Sequence, residues 1–147
     1  MQANAKRLNI LLIEDNDADI FIAKKAFLSL KVPYDFHSVS DGELAIEALK
    51  ASGTDNGMPI PDMVFLDLNL PKVDGAQVLK AIKEIPHLSS MPVIALSSSR
   101  SEQDVRKIYS MHANAYLVKP QSLDDYRILV SVIELFWFQH VLLPRNI

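Results

Sequence analysis

Cysteine is absent from this chain, which removes disulfide frameworks, thiolate metal sites and cysteine nucleophiles together and fits a reducing compartment. Long hydrophobic runs are absent too. The first apolar run, Leu8 to Ile13 with Asn9 inside it, stops at Glu14-Asp15 and is too short for a signal or membrane segment, so the protein is expected to be cytoplasmic and soluble, with no membrane partner. Only four glycines occur, and neither G-x-G-x-x-G nor G-x-x-x-x-G-K-[ST] can be found, which disfavours a nucleotide-binding Rossmann or P-loop module. Charge of one sign is scarce. A net charge of −3 leaves no electrostatic footprint for nucleic acid, so direct DNA binding is disfavoured. What remains is ordinary globular composition, 49% hydrophobic and 22% charged over 147 residues, which suits one compact domain.

Short apolar runs rich in β-formers recur at Leu8 to Ile13, Tyr34 to Val39, Met63 to Leu66, Pro92 to Leu96 and Ala115 to Val118. Helical patterns fill the intervals. Asp17 to Leu30 and Asp41 to Lys50 carry apolar residues at i, i+3, i+4 spacing, and Asp74 to Glu84 and Glu102 to Met111 continue the series. Asp41, Asp74 and Ser101 stand where caps or first-turn acids belong, and a last helix is expected from near Ser122 to about Gln139. Five strands alternating with five helices predict an α/β fold, a parallel five-stranded sheet covered on both faces. In such sheets ligands bind at the carboxyl ends of the strands.

The stretch MVFLDLNLPKVDG, Met63 to Gly75, places Asp67 directly after an apolar run, where an uncompensated carboxylate costs several kcal/mol. Other polar residues end the neighbouring strands: Glu14 and Asp15 the first, Ser97 the fourth, Lys119 the fifth. All are expected on one rim. Three carboxylates together need a cation, and all-oxygen ligands favour a hard divalent ion such as Mg²⁺. Lys119 suits a phosphate oxygen and Ser97 can hydrogen-bond one, so metal, carboxylate, hydroxyl and ammonium together describe phosphoryl transfer.

IEDN (Ile13 to Asn16), LDLNLPKVDG (Leu66 to Gly75), ALSSS (Ala95 to Ser99) and YLVKP (Tyr116 to Pro120) occur in that order, with thirty positions from Asp67 to Ser97 and twenty-two more to Lys119. From Leu8 to about Gln139 the chain resembles the receiver domain of two-component response regulators. The resemblance implies a flavodoxin-like (βα)₅ doubly wound fold and transfer of a phosphoryl group from a histidine kinase onto Asp67. It implies Mg²⁺ held by Asp15, Asp67 and the backbone carbonyl of Asn69, with Glu14 acting through a metal-bound water. It also implies Lys119 on a phosphoryl oxygen, a cis Lys119-Pro120 bond, and Ser97 and Tyr116 as the switch pair. Glu14 departs from the commoner Asp, and Ser98 stands where Ala or another small residue is usual, which implies slightly narrower access to the phosphoryl group. Under this resemblance the protein is no enzyme beyond catalysing its own phosphorylation and dephosphorylation.

From Leu129 to Leu143 eleven of fifteen residues are apolar, more than one core-facing stripe needs. Ile133, Phe136 and Trp137 are expected to serve the core; Leu135, Phe138, Val141 and Leu142 are candidates for a homodimer interface. The expected layout is an N-terminal arm at 1–7, a receiver at 8–139 and a tail at 140–147, with no room for an output domain. The run IELFWFQHVLLP and the loop GTDNGMPIP look like the small regulators that partner cyanobacterial phytochromes, which implies a phytochrome histidine kinase as partner. Two other readings stay open: an interaction module that does not use phosphorylation, and a phosphatase of the haloacid dehalogenase type. The second needs an acid where Asn69 stands. Asp17 and Asp19 read as first-turn helix acids, and His37, His87, His112 and His140 show no ligand spacing.

Overall fold

A computed structural model describes residues 7–144. Of the expected arm only Arg7 falls within them, and the tail is described as far as residue 144. Five strands, β1 (Leu8–Ile13), β2 (Tyr34–Val39), β3 (Met63–Asp67), β4 (Val93–Ser97) and β5 (Ala115–Val118), form one parallel sheet in the order β2-β1-β3-β4-β5. The order reverses beside β1, which puts the switch point of the sheet between β1 and β3. The helices are α1 (Asp17–Phe27), α2 (Gly42–Lys50), α3 (Gly75–Glu84), α4 (Glu102–Ser110) and α5 (Leu123–Ile133). This is the flavodoxin-like architecture expected.

The two-residue period of a strand sorts the apolar residues of β1, β3 and β4 between two cores. Leu11, Ile13, Val64, Leu66, Val93 and Ala95 join residues of α2, α3 and α4 on one face. Ile10, Leu12, Met63, Phe65, Ile94 and Leu96 join α1 and α5 on the other. There the Phe27 ring tilts against Phe36 and Phe65, with centroids 5.2 and 5.5 Å apart.

Every α-helix starts on a side-chain cap. Asn16, Asp41, Asp74, Ser101 and Ser122 each accept a first-turn amide, and Asp74 completes a capping box with Gln77. The expected boundaries shift by a few residues: α1 stops at Phe27 rather than Leu30, and a 3₁₀ turn at Pro86–Leu88 follows α3. No cis peptide bond occurs among the described residues, so Lys119-Pro120 is trans rather than cis. Trans is the lower-energy isomer of an X-Pro bond by about 0.5–1 kcal/mol, and the loop after β5 closes in it.

The end of the last helix departs most from expectation. After Ile133 the chain widens into a π-helical turn, Glu134–Phe138, and just beyond it the Val141 amide reaches back five residues to the Phe136 carbonyl at 2.9 Å. Wider turns advance each residue through a smaller angle, so the faces exchange. Phe136 is exposed and not in the core as expected, whereas Trp137 and Phe138 pack against the α1–α5 core. Glu134 is buried, its Oε2 accepting the amides of Lys31 at 2.6 Å and Val32 at 3.2 Å.

Gly75 fixes the junction between β3 and α3. A Cβ there would stand 2.4 Å from Leu68 Cα and 2.8 Å from the Asp67 carbonyl oxygen. Backbone is what it would strike, and backbone yields poorly. Gly75→Ala should therefore lower the unfolding free energy by about 1–3 kcal/mol. Urea denaturation monitored by circular dichroism tests this, and an unchanged midpoint would contradict the packing argument.

Candidate functional site

Strand ends assemble the polar rim. β1 delivers Glu14 and Asp15, β3 ends on Asp67, β4 on Ser97, and β5 leads into Lys119, whose amide donates to the Ser97 carbonyl at 2.9 Å. Because β1 and β3 are neighbours, carboxylate oxygens of Glu14, Asp15 and Asp67 lie within 4.8 Å of one another. Glu14 and Asp67 are buried, 1% and 2% exposed, and Asp15 is open to solvent.

Lys119 is the counter-charge. Its Nζ lies 2.7 Å from Glu14 Oε1, 3.0 Å from Asp19 Oδ2 and 3.3 Å from Asp67 Oδ2. Asp67 Oδ1 accepts the Asn69 amide at 3.0 Å, and Glu14 Oε2 accepts the Asn16 amide at 3.2 Å. Glu14 Oε1 is close to the ammonium but has no well-directed hydrogen bond. Burial pushes the Glu14 carboxyl up to about 7, against the opposing pull of Lys119. Burial also pulls the Lys119 ammonium down, but the carboxylates outweigh it and hold it above the ordinary lysine range. Tyr126, buried on α5 near the cluster, is raised by burial and then by the nearby Glu14 charge.

The donor set fits a hard divalent cation. Three carboxylates converge, one buried oxygen lacks a directed donor, and exposed Asp15 leaves a path for the ion. One ammonium does not neutralise them.

Ser97 is buried at the end of β4, and its Oγ accepts the Ser99 amide at 3.1 Å. With Asn69 and Tyr116 it lines a cavity of about 480 Å³ between the β3–α3 loop and α4. Tyr116 stays outside the acidic cluster: its ring packs against the α2–α4 core, and its hydroxyl donates to the Ser99 carbonyl at 2.9 Å. Asp19, read as an acid near the site whose main role was in the first helical turn, is a contact of Lys119 that sequence reasoning did not assign. The available signal was position, since Asp19 lies in the first turn of the helix that directly follows Glu14-Asp15.

Residues 10–131 match the model of the response regulator receiver domain. This chain belongs to that family. A receiver of Synechocystis sp., response regulator Rcp1, is 38% identical over 92% of each chain. The crystal structure of its Mn²⁺-bound form superposes with a TM-score of 0.83, covering 93% of this chain and 99% of that one. The phosphorylated cyanobacterial phytochrome response regulator RcpA, also 38% identical, superposes with a TM-score of 0.85 and covers 95% and 99%. The receiver described here is thus related to phytochrome response regulators, as its C-terminal run suggested. No helix among its described residues is long and apolar enough to cross a membrane.

Crowded like charges make a prediction. In EDTA, Asp15→Asn should raise the thermal midpoint by a few degrees, because it removes one of three mutually repelling carboxylates. Added MgCl₂ or MnCl₂ should raise the wild-type midpoint with concentration and leave the variant unmoved. Differential scanning fluorimetry decides; equal metal shifts in both proteins would exclude Asp15 from the cation site.

Proposed function

We propose that this receiver accepts a phosphoryl group from a histidine kinase onto Asp67 and signals through the conformational change that follows. The observation that carries the reading is Asp67 itself, a buried carboxylate at the end of β3 that faces both an acidic cluster and an ammonium. Mg²⁺, held by Asp15, Asp67 and the Asn69 carbonyl, with Glu14 behind a bound water, would supply charge neutralisation for the incoming phosphoryl. An Asp67 oxygen attacks phosphorus, the bond to the kinase imidazole breaks, and an acyl phosphate forms. Lys119 and the Ser97 hydroxyl bind the phosphoryl oxygens, contacts that strengthen as charge develops. Hydrolysis restores the carboxylate. The protein's own part is positioning and electrostatics, so it is a phosphoacceptor and not an enzyme acting on other substrates.

Ser97 and Tyr116 form the switch in this reading. Tyr116 holds the Ser99 carbonyl two residues beyond Ser97, so a pull on the Ser97 hydroxyl is transmitted to the start of α4. Likeness to RcpA supports a phytochrome kinase as donor, and the family match over residues 10–131 supports 8–139 as the working receiver; a cytoplasmic setting belongs to the same reading. A carboxamide at Asn69 speaks against the hydrolase alternative.

Homodimerisation through the end of α5 and the tail belongs to the same reading. Leu135 and Leu142 are 58% and 95% exposed, Val132 and Ile128 extend the apolar surface along α5, and Phe136 adds to it in the π-helical turn; Phe138 and Val141 are partly covered. Exposed apolar area of this extent favours a partner.

Acetyl phosphate with Mg²⁺ should add one phosphoryl mass to the wild type and none to Asp67→Asn by intact mass spectrometry; equal labelling would sink the mechanism. In sedimentation velocity the wild type should run as a dimer and Leu135→Glu as a monomer. A monomeric wild type would dismiss the interface.

A further inference from the structure

Three carboxylates share the Lys119 ammonium, and only one of them has no part in the cation cluster. Asp19 Oδ2 stands 3.0 Å from Nζ, nearer than Asp67 Oδ2 at 3.3 Å, yet Asp19 is outside the group of carboxylates that converge within 4.8 Å. It addresses the lysine and not the ion. Its place is fixed by α1, where the Asn16 side chain accepts the Asp19 amide at 3.0 Å. We propose that Asp19 is a positioning residue for Lys119, a counter-ion that holds the ammonium back until an incoming phosphoryl group displaces it. The inference rests on the phosphoacceptor reading of Asp67.

For Lys119 to meet a phosphoryl oxygen, it must loosen its hold on a carboxylate. Glu14 is buried, and one of its oxygens is already engaged by the Asn16 amide, so its release would strand a charge in the interior. Asp67 carries the phosphoryl group. The Asp19 side chain is 36% exposed and can be rehydrated when the contact breaks, so it is the partner that yields. Breaking that contact is part of the barrier to phosphorylation. Removing Asp19 leaves the ammonium to Glu14 and Asp67, closer to the atom that attacks. Asp17 provides the control, since it is an exposed acid in the same helical turn and is no ion-pair partner of Lys119 among the described residues.

The experiment uses the full chain with acetyl phosphate and Mg²⁺, following the initial rate of Asp67 labelling by intact mass. Asp19→Asn should label about three- to tenfold faster than Asp17→Asn, and in a Lys119→Ala background its advantage over Asp17→Asn should vanish. A second readout needs neither metal nor phosphodonor: in EDTA, the thermal midpoint shifts of Asp19→Asn and Lys119→Ala should be non-additive. A rate for Asp19→Asn no faster than for Asp17→Asn overturns the proposal. So does an effect of equal size with and without Lys119. If the wild type is not labelled at Asp67, the phosphoacceptor reading fails by itself, and the midpoint cycle still decides whether Asp19 acts on Lys119.

Discussion

One ammonium surrounded by carboxylates governs this molecule. Lys119 touches Glu14, Asp19 and Asp67, and Asp15 stands beside them, so a single positive charge faces four negative ones at the end of the sheet. Such an arrangement is costly unless the scaffold imposes it. The scaffold does so through strand order: β1 and β3 are adjacent, and their ends carry the acids, while the Lys119 amide is tied to the last residue of β4. Two apolar cores then hold the strands in register from both faces. Stability spent in this way leaves the rim receptive to a cation and to an anionic group that would share the lysine.

The two faces of the sheet serve that rim differently. The α1–α5 side brings Asp19 to Lys119 and keeps Tyr126 beneath the cluster. The opposite side holds the cavity along α4, where Tyr116 and Ser99 are joined and where Ser99 also bonds the Asp104 carboxylate of the α4 first turn. Charge is concentrated on one side. Loop and helix geometry is registered on the other, and Asp67 and Ser97 sit at the seam between them.

Most of the architecture was legible from periodicity. Apolar runs at β1, β3 and β4 with helices between them could only be covered on both faces, and the caps Asp41, Asp74 and Ser101 stood where they function. The core of the site was equally plain, because polar residues that end apolar strands have few other places to go. Two of the misses depend on where a side chain points across elements distant in sequence, and the third on local backbone geometry. Asp19 satisfies the helix rule for first-turn acids, and that local explanation concealed its reach to Lys119. Glu134 sits in an apolar run and finds the Lys31 and Val32 amides, a hundred positions away. Phe136 and Phe138 exchanged roles because a π-helical turn breaks the 3.6-residue period on which the assignment rested.

Glu134 also has a mechanical meaning. It clips the turn after α1 to the end of α5, toward the amino-terminal ends of the strands and away from the carboxylates, and the two helices pack against each other. Two rods pinned at one end cannot slide past each other easily. The first turn of α1, where Asp19 reaches Lys119, lies at the other end of the helix from this clip. The charged rim and the exposed apolar end of the last helix are thus held on one frame, tied at both ends by carboxylates that reach across from another element.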